Sequence, residues 1–354
     1  MKENENAMNT IKIKRFIDCY IPVTTCNLRC SYCYIAQQGL FKNALPEFEH
    51  TAQEIRKGLS VEKMGGTCVC NLCAGGETLL AEEVVEIIRQ LLEEGHFVSV
   101  VTNGTLTRRF EQLAAFPENL CRHLFLKFSF HYLELKRLNL FEQYFANIKM
   151  VQKAGISFTV EMTPCDEEIP LIPEIKQVCM DNLGALCHLT IARSDIDPDQ
   201  RIPHLSEHSF AEYKKIWETF ESQLFDFKAS IFYHKRKEFC YAGDWSFYVS
   251  LGDGEAVQCY GGKRIGNIFA DDKLQFEAIG KKCTQAHCYN GHSWLTFGDI
   301  PQLKSPTYAD MRNRVTVTGE EWLGPEVKEA FSAKLCRTNR KYPFWKRYKI
   351  DHQK

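Results

Sequence analysis

Short apolar runs alternate with helical patterns over residues 16–192, and this alternation constrains the fold more than any other feature of the sequence. The runs have the length and apolar content of buried strands. Strands that alternate with helices form a parallel sheet with right-handed crossovers. Six units are fewer than the eight of a closed barrel, so we predict an open α/β sheet. The predicted strands are 16–23, 67–72, 97–101, 124–130, 158–162 and 186–192, with helices at 51–64, 81–94, 109–116, 141–154 and 172–182.

Three cysteines, Cys26, Cys30 and Cys33, follow the first predicted strand with the spacing C-x3-C-x2-C. Three thiolates on so short a loop can hold one face of an iron–sulfur cube and leave its fourth iron open to a ligand. A zinc site usually has two separated pairs of ligands, and a redox dithiol would leave Cys26 unexplained. Ligands of parallel β/α folds bind at the carboxyl ends of strands, where this loop lies. We therefore interpret the loop as a catalytic cluster site.

The second predicted strand is followed by Gly75, Gly76 and Glu77. The two glycines allow the backbone to come close to a ligand, and the carboxylate can accept hydrogen bonds from an ammonium group. Gly-Gly-Glu alone is a weak turn motif. Its position after the second strand, next to a three-cysteine loop after the first, makes it a candidate ligand contact.

A second set of cysteines lies in the C-terminal part of the chain, at Cys240, Cys259, Cys283 and Cys288. Two predicted strands, 245–251 and 255–258, separate the first two cysteines, and the last two form a C-x4-C pair. Four thiols can hold an iron–sulfur cluster or a zinc ion, and their spacing does not separate these two metals. His287 and His292 are less favoured substitutes as ligands.

Cys68, Cys70 and Cys73 form a third group, spaced C-x-C-x2-C within the second predicted strand. Residues two apart in a strand share a face, so Cys73 faces away from the other two. We expect buried strand thiols here rather than a cluster, although Cys73 borders Gly75 and can approach the site.

Composition limits the classes of partner. The 354 residues carry a formal net charge of −1, which gives no long-range attraction to nucleic acid or to an anionic membrane. No apolar run approaches the roughly 18–20 residues of a membrane span, and the N-terminus lacks the hydrophobic segment of a signal peptide. We expect a cytoplasmic protein whose 16 cysteines are reduced thiols or metal ligands.

The C-x3-C-x2-C spacing, with Tyr32 before the last cysteine, resembles the signature of the radical S-adenosylmethionine (SAM) superfamily. The later order of cysteine, hairpin, cysteine, Gly-Asn-Ile and cysteine pair resembles the shortened, twitch form of the SPASM extension in that superfamily. The resemblance covers about residues 16–200 and 240–290. It implies a partial (β/α)6 TIM-like barrel with a small C-terminal extension that contains a hairpin and iron–sulfur ligands.

The resemblance also assigns cofactors. It implies a SAM-binding [4Fe-4S] cluster on the first three cysteines, SAM on the open iron, and an auxiliary [4Fe-4S] cluster on the later four. In this superfamily a Gly-Gly-Glu contacts the amino group of SAM; Thr78 stands where proline is frequent. Arg193 is expected to pair with the SAM carboxylate, and Ser129 or Glu161 to bind its ribose, although Glu161 and Arg193 equally fit structural ion pairs. The implied SAM contacts are Tyr32, Gly75, Gly76, Glu77, Ser129, Glu161, Thr163 and Arg193.

The predicted organisation has five parts. Residues 1–12 form a flexible N-terminus, 13–200 the radical SAM core, and 201–235 a linker and helix. Residues 236–300 form the auxiliary-cluster domain, and 301–354 a C-terminal helix and basic tail.

The resemblance implies a radical SAM enzyme. A reductant such as flavodoxin or ferredoxin would supply an electron for SAM cleavage, and the 5′-deoxyadenosyl radical would abstract hydrogen from the substrate. We expect a small polar or carbohydrate-like substrate with net oxidation or epimerisation, because the extension has one cluster and only some 15 residues precede the first strand. The alternatives are a maturase that crosslinks a ribosomally made peptide or protein, or forms a thioether in it, and a non-catalytic iron–sulfur protein.

Overall fold

The computed structural model describes residues 11–197 and 199–352, so most of the predicted flexible segment 1–12 lies outside the described residues. The strands are β1 (Arg15–Ile21), β2 (Cys68–Ala74), β3 (Phe97–Thr102), β4 (Leu124–Ser129), β5 (Ser157–Met162), β6 (His188–Leu189), β7 (Ser246–Ser250), β8 (Glu255–Val257) and β9 (Arg264–Asn267). They form one sheet in the order β6-β5-β4-β3-β2-β1-β7-β8-β9. Neighbours from β6 to β7 pair in parallel, which confirms the α/β class.

Helices cover the sheet and follow most of its strands. They are α1 (Tyr34–Gln37), α2 (Ala52–Gly58), α3 (Val61–Met64), α4 (Glu83–Glu93), α5 (Thr107–Ala114), α6 (Glu118–Cys121), α7 (Tyr132–Arg137), α8 (Phe141–Lys153), α9 (Ile172–Leu183), α10 (Phe210–Trp217), α11 (Gln223–Ile231), α12 (Gly291–Phe297), α13 (Pro325–Ser332), α14 (Leu335–Thr338) and α15 (Phe344–His352), with 3-10 helices at Asp166–Leu171 and Glu218–Phe220. Among the described residues, no helix combines the length and apolar character that a membrane crossing requires.

The inner face of the curved sheet changes from apolar to polar along the strands. Alternate residues of a strand share a face, so the inner face can be read in steps of two. Its first residues are apolar and buried, namely Phe16, Val69, Phe97 and Phe125. The next residues on the same face are polar, namely Asp18, Asn71, Ser99 and Lys127. The site can therefore lie only toward the carboxyl ends of the strands, beyond the apolar level.

The C-terminal segment fills the apolar end of the open barrel. The ring of Phe16 lies 5.0 Å from that of Phe297 and 5.9 Å from that of Trp294, and Phe125 lies 5.0 Å from Phe331. Aromatic pairs at such distances add to the stability gained from burial. Helices α12 and α13 thus cover the apolar end of the inner face, opposite the end that carries the polar residues.

Two predicted elements are shorter than expected. The strand predicted over 186–192 is reduced to β6, because only Glu161 and Met162 of β5 are available to pair with it at the sheet edge. The helix predicted over 51–64 is divided into α2 and α3. The division occurs at Ser60, whose hydroxyl accepts a hydrogen bond from the Lys63 amide at 3.3 Å and so begins a new helix.

The predicted C-terminal hairpin forms, as β7 and β8, but it does not form a separate sheet. β7 pairs in parallel with β1, with Asp18 opposite Tyr248. The predicted linker 201–235 contains α10 and α11, whose Tyr213, Trp217 and Phe225 are buried in the main core. Core and extension therefore share one sheet, and the boundaries at 200 and 236 stay predictions.

Candidate active site

A cavity of about 590 Å³ opens at the carboxyl ends of the parallel strands. It brings together every residue predicted for the first cluster and for SAM. These lining residues are Cys26, Cys30, Tyr32, Cys33, Gly75, Gly76, Glu77, Ser129, Glu161, Thr163 and Arg193. Their roles toward a cofactor stay predictions, but their assembly in one cavity is the arrangement that such roles need.

The three thiols of the cysteine loop form a donor set that fits an iron–sulfur cluster. All three are free of disulfides and partly exposed. Burial raises the pKa of Cys30, and the charges of Cys26 and Cys33 raise it further. Three thiolates that repel one another at the mouth of a cavity are stabilised when iron binds them. The Cys26 sulfur also accepts a hydrogen bond from the Leu28 amide at 3.4 Å, as a thiolate ligand does.

The loop after β3 supports the cysteine loop. Asn103 Nδ2 donates to Asn27 Oδ1 at 2.7 Å and lies 3.7 Å from the Cys26 sulfur. The Thr105 hydroxyl donates to Asn103 Oδ1 at 2.7 Å and accepts from Asn27 Nδ2 at 2.8 Å. These hydrogen bonds between side chains position the Cys26 sulfur and do not involve the Cys26 backbone. Sequence reasoning did not assign Asn103 a role, although a polar residue at the carboxyl end of a parallel strand is a usable signal.

Gly76 is required by a close approach of two backbones. A Cβ at this position would lie 1.9 Å from the Thr25 carbonyl oxygen. The Gly76 amide donates to Val23 O at 2.7 Å, and the Glu77 amide donates to Thr25 O at 2.9 Å. The sequence suggested that the glycines approach a ligand, whereas at Gly76 the neighbour is the cysteine loop itself.

Glu77 organises the ends of two strands. Its Oε1 accepts from the Thr102 hydroxyl at 2.7 Å and from the Leu79 amide at 3.0 Å, and its Oε2 accepts from the Asn103 amide at 2.6 Å. Burial raises the pKa of Glu77, and these donors oppose that effect. A carboxylate has about four acceptor positions, so Oε2 keeps capacity for one further donor. The predicted contact with the SAM ammonium is compatible with this second, structural role.

Tyr32 and His131 form a pair in the cavity wall. The Tyr32 hydroxyl lies 2.8 Å from His131 Nδ1. Burial raises the pKa of Tyr32 and lowers that of His131 to about 4, so both side chains are neutral at pH 7. Ser129 and Thr163 line the same cavity at the ends of β4 and β5.

Glu161 lies in a buried ion-pair network. Its Oε2 is 3.3 Å from Lys127 Nζ, and its Oε1 is 3.0 Å from Arg312 Nε. Burial opposes ionisation, but the charges of Arg312 and Lys127 outweigh it and lower the pKa of Glu161. The structural alternative for Glu161 is therefore realised, and its predicted contact with ribose stays a prediction.

Arg193 lies between the first loop and the second cysteine set. Its Nε pairs with Asp195 Oδ2 at 3.0 Å, and its guanidinium lies 4.7 Å from the centre of the Tyr289 ring. The Arg193 carbonyl accepts from Gln37 Nε2 at 3.2 Å. This arrangement holds the guanidinium in the cavity, where the predicted carboxylate contact requires it.

The second cysteine set lies together just outside the cavity lining. Burial raises the pKa of Cys259, and the charges of Cys288 and Cys283 raise it further. Burial, Asp299 and the charges of Cys259 and Cys288 act in the same direction on Cys240.

Within residues 11–197 and 199–352, no three His, Cys, Asp or Glu side chains are gathered as a single metal ion requires. A cluster offers each thiolate its own iron, so it does not require the sulfurs to meet at one point. The described nitrogens of His287 have no hydrogen-bond partner, and His292 lines the cavity.

A tyrosine wall separates this set from the cavity. Tyr260 and Tyr289, each next to a cysteine of the set, line the cavity. Tyr260 donates to Asp18, and its oxygen accepts from Asn290 Nδ2 at 2.8 Å. The sequence did not reveal the pairing of Asp18 with Tyr260, because 242 residues separate them.

The third cysteine group behaves as predicted. Cys68 and Cys70 are fully buried in the core, whereas Cys73 lies on the other face and lines the cavity. The Cys73 thiol donates to Asp18 Oδ1 at 3.5 Å.

Part of the sequence matches a known family. Residues 20–168 match the model of the radical SAM superfamily. This match covers less than half of the chain and includes both the three-cysteine loop and Gly75 to Glu77. The cofactors of that superfamily are SAM and a [4Fe-4S] cluster, which the donor set in this cavity fits.

Individual relatives extend the comparison. The chain is 26% identical over 260 residues to the antilisterial bacteriocin subtilosin biosynthesis protein AlbA of Bacillus subtilis, over 70% of this chain and 56% of AlbA. A 7-carboxy-7-deazaguanine synthase of Methanospirillum hungatei is 36% identical over 90 residues, which are 25% of this chain and 34% of that enzyme. The chain thus spans about half the length of AlbA, or less of the other relative.

A solved structure supports the fold. SuiB of Streptococcus suis, bound to its precursor peptide SuiA, superposes with a TM-score of 0.52 at 15% identity. The superposition covers 76% of this chain and 66% of SuiB. It therefore reaches beyond the matched superfamily segment into the C-terminal half.

Proposed function

We propose that this enzyme modifies a peptide, forming a crosslink or a thioether in a ribosomally made precursor. The observation that carries the proposal is the single cavity in which the three-cysteine loop meets the predicted SAM contacts. AlbA, whose name places it in bacteriocin biosynthesis, is similar over 70% of this chain. This likeness favours a peptide over the small polar substrate that the sequence suggested. The small-molecule alternative rests on the shorter match to the deazaguanine synthase.

Cys26, Cys30 and Cys33 would hold the first cluster, and Arg193 and Glu77 would contact SAM. When bound, the cluster and SAM would supply radical chemistry, the removal of a hydrogen atom from the substrate. The chain's own residues orient and shield these groups. Asn103 and the Leu28 amide fix Cys26, Glu77 joins the ends of β2 and β3, and Tyr260 and Tyr289 close the wall. A flavodoxin or ferredoxin in a cytoplasmic setting would serve as reductant.

We propose that Cys240, Cys259, Cys283 and Cys288 hold an auxiliary [4Fe-4S] cluster in a twitch-like region, residues 236–300. The electrostatic effects of these thiols on one another indicate that they lie close together, as a shared cluster requires. After anaerobic reconstitution we expect about eight irons per chain, since each cube contains four. Cys240→Ala with Cys259→Ala should leave about four. A wild-type count near four together with one zinc would replace the auxiliary cluster by a zinc site.

The function is tested with the reconstituted enzyme, dithionite, SAM and a synthetic copy of a short peptide encoded beside the gene. A crosslink or a thioether appears as the loss of two hydrogens from the peptide in mass spectrometry. The triple variant C26A/C30A/C33A is the control and should form no 5′-deoxyadenosine. Formation of 5′-deoxyadenosine without any change in peptide mass, combined with deuterium transfer from a labelled sugar, would favour the small-molecule alternative.

A further inference from the structure

Lys228 is a buried lysine whose side chain donates to a neutral hydroxyl. It lies on α11, is 5% exposed and lines the cavity. Its Nζ donates to the Thr190 hydroxyl at 2.6 Å. Burial lowers the pKa of Lys228, and repulsion from Arg193 and Lys127 lowers it further. Charged groups inside proteins are normally paired with an opposite charge, so this environment is incomplete.

The nearby carboxylates are already engaged. Glu161 is shared between Lys127 at 3.3 Å and Arg312 at 3.0 Å. Asp195 pairs with Arg193 at 3.0 Å. Asp18 also lines the cavity and interacts electrostatically with Lys127. Four cations thus face three carboxylates in this part of the cavity, which leaves a surplus of positive charge, and Lys228 is the cation without a carboxylate partner.

A second polar side chain at the same place points to a ligand. His292 also lines the cavity, and its Nδ1 has no hydrogen-bond partner among the described residues. The side chains of Lys228, Thr190 and His292 can each donate a hydrogen bond to a carboxylate, and Lys228 can also pair with its charge.

We propose that Lys228, with Thr190 and His292, is the subsite for a carboxylate of the substrate. The proposal rests on the proposed function and deepens it, since it makes a carboxylate the group of the peptide that the site recognises. The carboxylate belongs either to an Asp or Glu side chain or to the peptide C-terminus. On binding, it pairs with the ammonium of Lys228 and offsets the surplus positive charge.

Lys228 and Arg193, the predicted SAM carboxylate contact, enter the same cavity from different elements. Arg193 adjoins the cysteine loop, since its guanidinium lies 5.7 Å from the ring of Tyr34 and its carbonyl accepts from Gln37. Lys228 instead contacts Thr190 after β6, and its helix packs against α12. The substrate carboxylate would therefore be held on the side of the second cysteine set.

The test uses reconstituted holoenzyme with SAM and three small probes in calorimetry. N-acetyl-glutamate α-amide has a side-chain carboxylate, N-acetyl-glutamine has only a terminal carboxylate, and N-acetyl-glutamine amide has neither. One of the two acids should bind at least tenfold more tightly than the neutral amide, and it identifies the source of the carboxylate. Lys228→Met should remove this preference, and Thr190→Val should weaken it. Lys149→Met, an exposed position on α8, is the matched control and should retain it.

Equal affinity for all three probes would overturn the proposal. So would a K228M protein that loses affinity for SAM but keeps the preference for acids, because Lys228 would then belong to SAM. Circular dichroism of K228M and the milder K228Q variant separates misfolding from loss of the subsite. The proposed function fails by a different result, namely formation of 5′-deoxyadenosine by the wild-type enzyme without any change in the mass of the peptide.

Discussion

Gly76→Ala is expected to loosen the cysteine loop without unfolding the protein. The new Cβ would lie 1.9 Å from Thr25 O and 2.5 Å from Thr25 C, both backbone atoms that cannot rotate away. The loop around Gly76 and the loop around Thr25 must therefore separate by roughly 1 Å, at an overpacking cost of about 1–3 kcal/mol. The separation also strains the two amide hydrogen bonds to Val23 O and Thr25 O, each worth about 0.5–1.5 kcal/mol.

The sum is about 2–6 kcal/mol, which is a large part of a typical stability of about 5–15 kcal/mol. Urea unfolding of the apoprotein measures the loss, and iron analysis after anaerobic reconstitution measures the effect on the first cluster. Gly324→Ala is the matched control, because its Cβ would meet only Ser157 Oγ at 3.4 Å and its φ of −65° suits alanine. A G76A protein with wild-type iron content and a stability within about 0.5 kcal/mol of wild type would refute the reasoning.

Three further predictions concern buried polar groups. Burial raises the pKa of Glu168 from 4.5 to about 7. The contribution of this carboxyl group to stability is therefore present below pH 4.5 and is lost as the pH rises through 7. Glu168→Gln should raise the melting temperature at pH 8 more than at pH 5. Arg312→Met leaves Glu161 with Lys127 alone and should destabilise the fold by about 3–5 kcal/mol in urea, while the E161M/R312M double variant should recover part of this loss. Tyr260→Phe removes the donor to buried Asp18 and should cost about 1–3 kcal/mol by the same measurement. If Tyr260 has a purely structural role, the iron content of the reconstituted variant should be unchanged.

The sequence predicted those parts of the fold that local patterns determine. Apolar runs identified β1 to β5 because buried parallel strands are continuously apolar. The period of two predicted that Cys68 and Cys70 would share one face and that Cys73 would lie on the other, as found. Such inferences need only a few neighbouring residues.

Contacts between distant segments were beyond the sequence. The pairing of β7 with β1 depends on strand order, which the pattern within either strand does not encode. The role of Glu161 depends on Arg312, about 150 residues later, so ion pair and ribose contact were equally compatible with the sequence. The roles of the cysteines could be predicted more firmly, because thiolate spacing carries chemical information by itself.

The pairing of β7 with β1 has a consequence for how the two cysteine sets act together. The first set follows β1, and Cys240 and Cys259 flank the hairpin that begins with β7. Since the two strands are hydrogen-bonded neighbours, the distance between the sets is fixed by the sheet and not by a flexible linker. The Asp18–Tyr260 and Tyr260–Asn290 hydrogen bonds reinforce this connection across the cavity wall. A substrate held at Lys228 would therefore lie between two cysteine sets whose separation is built into the main sheet.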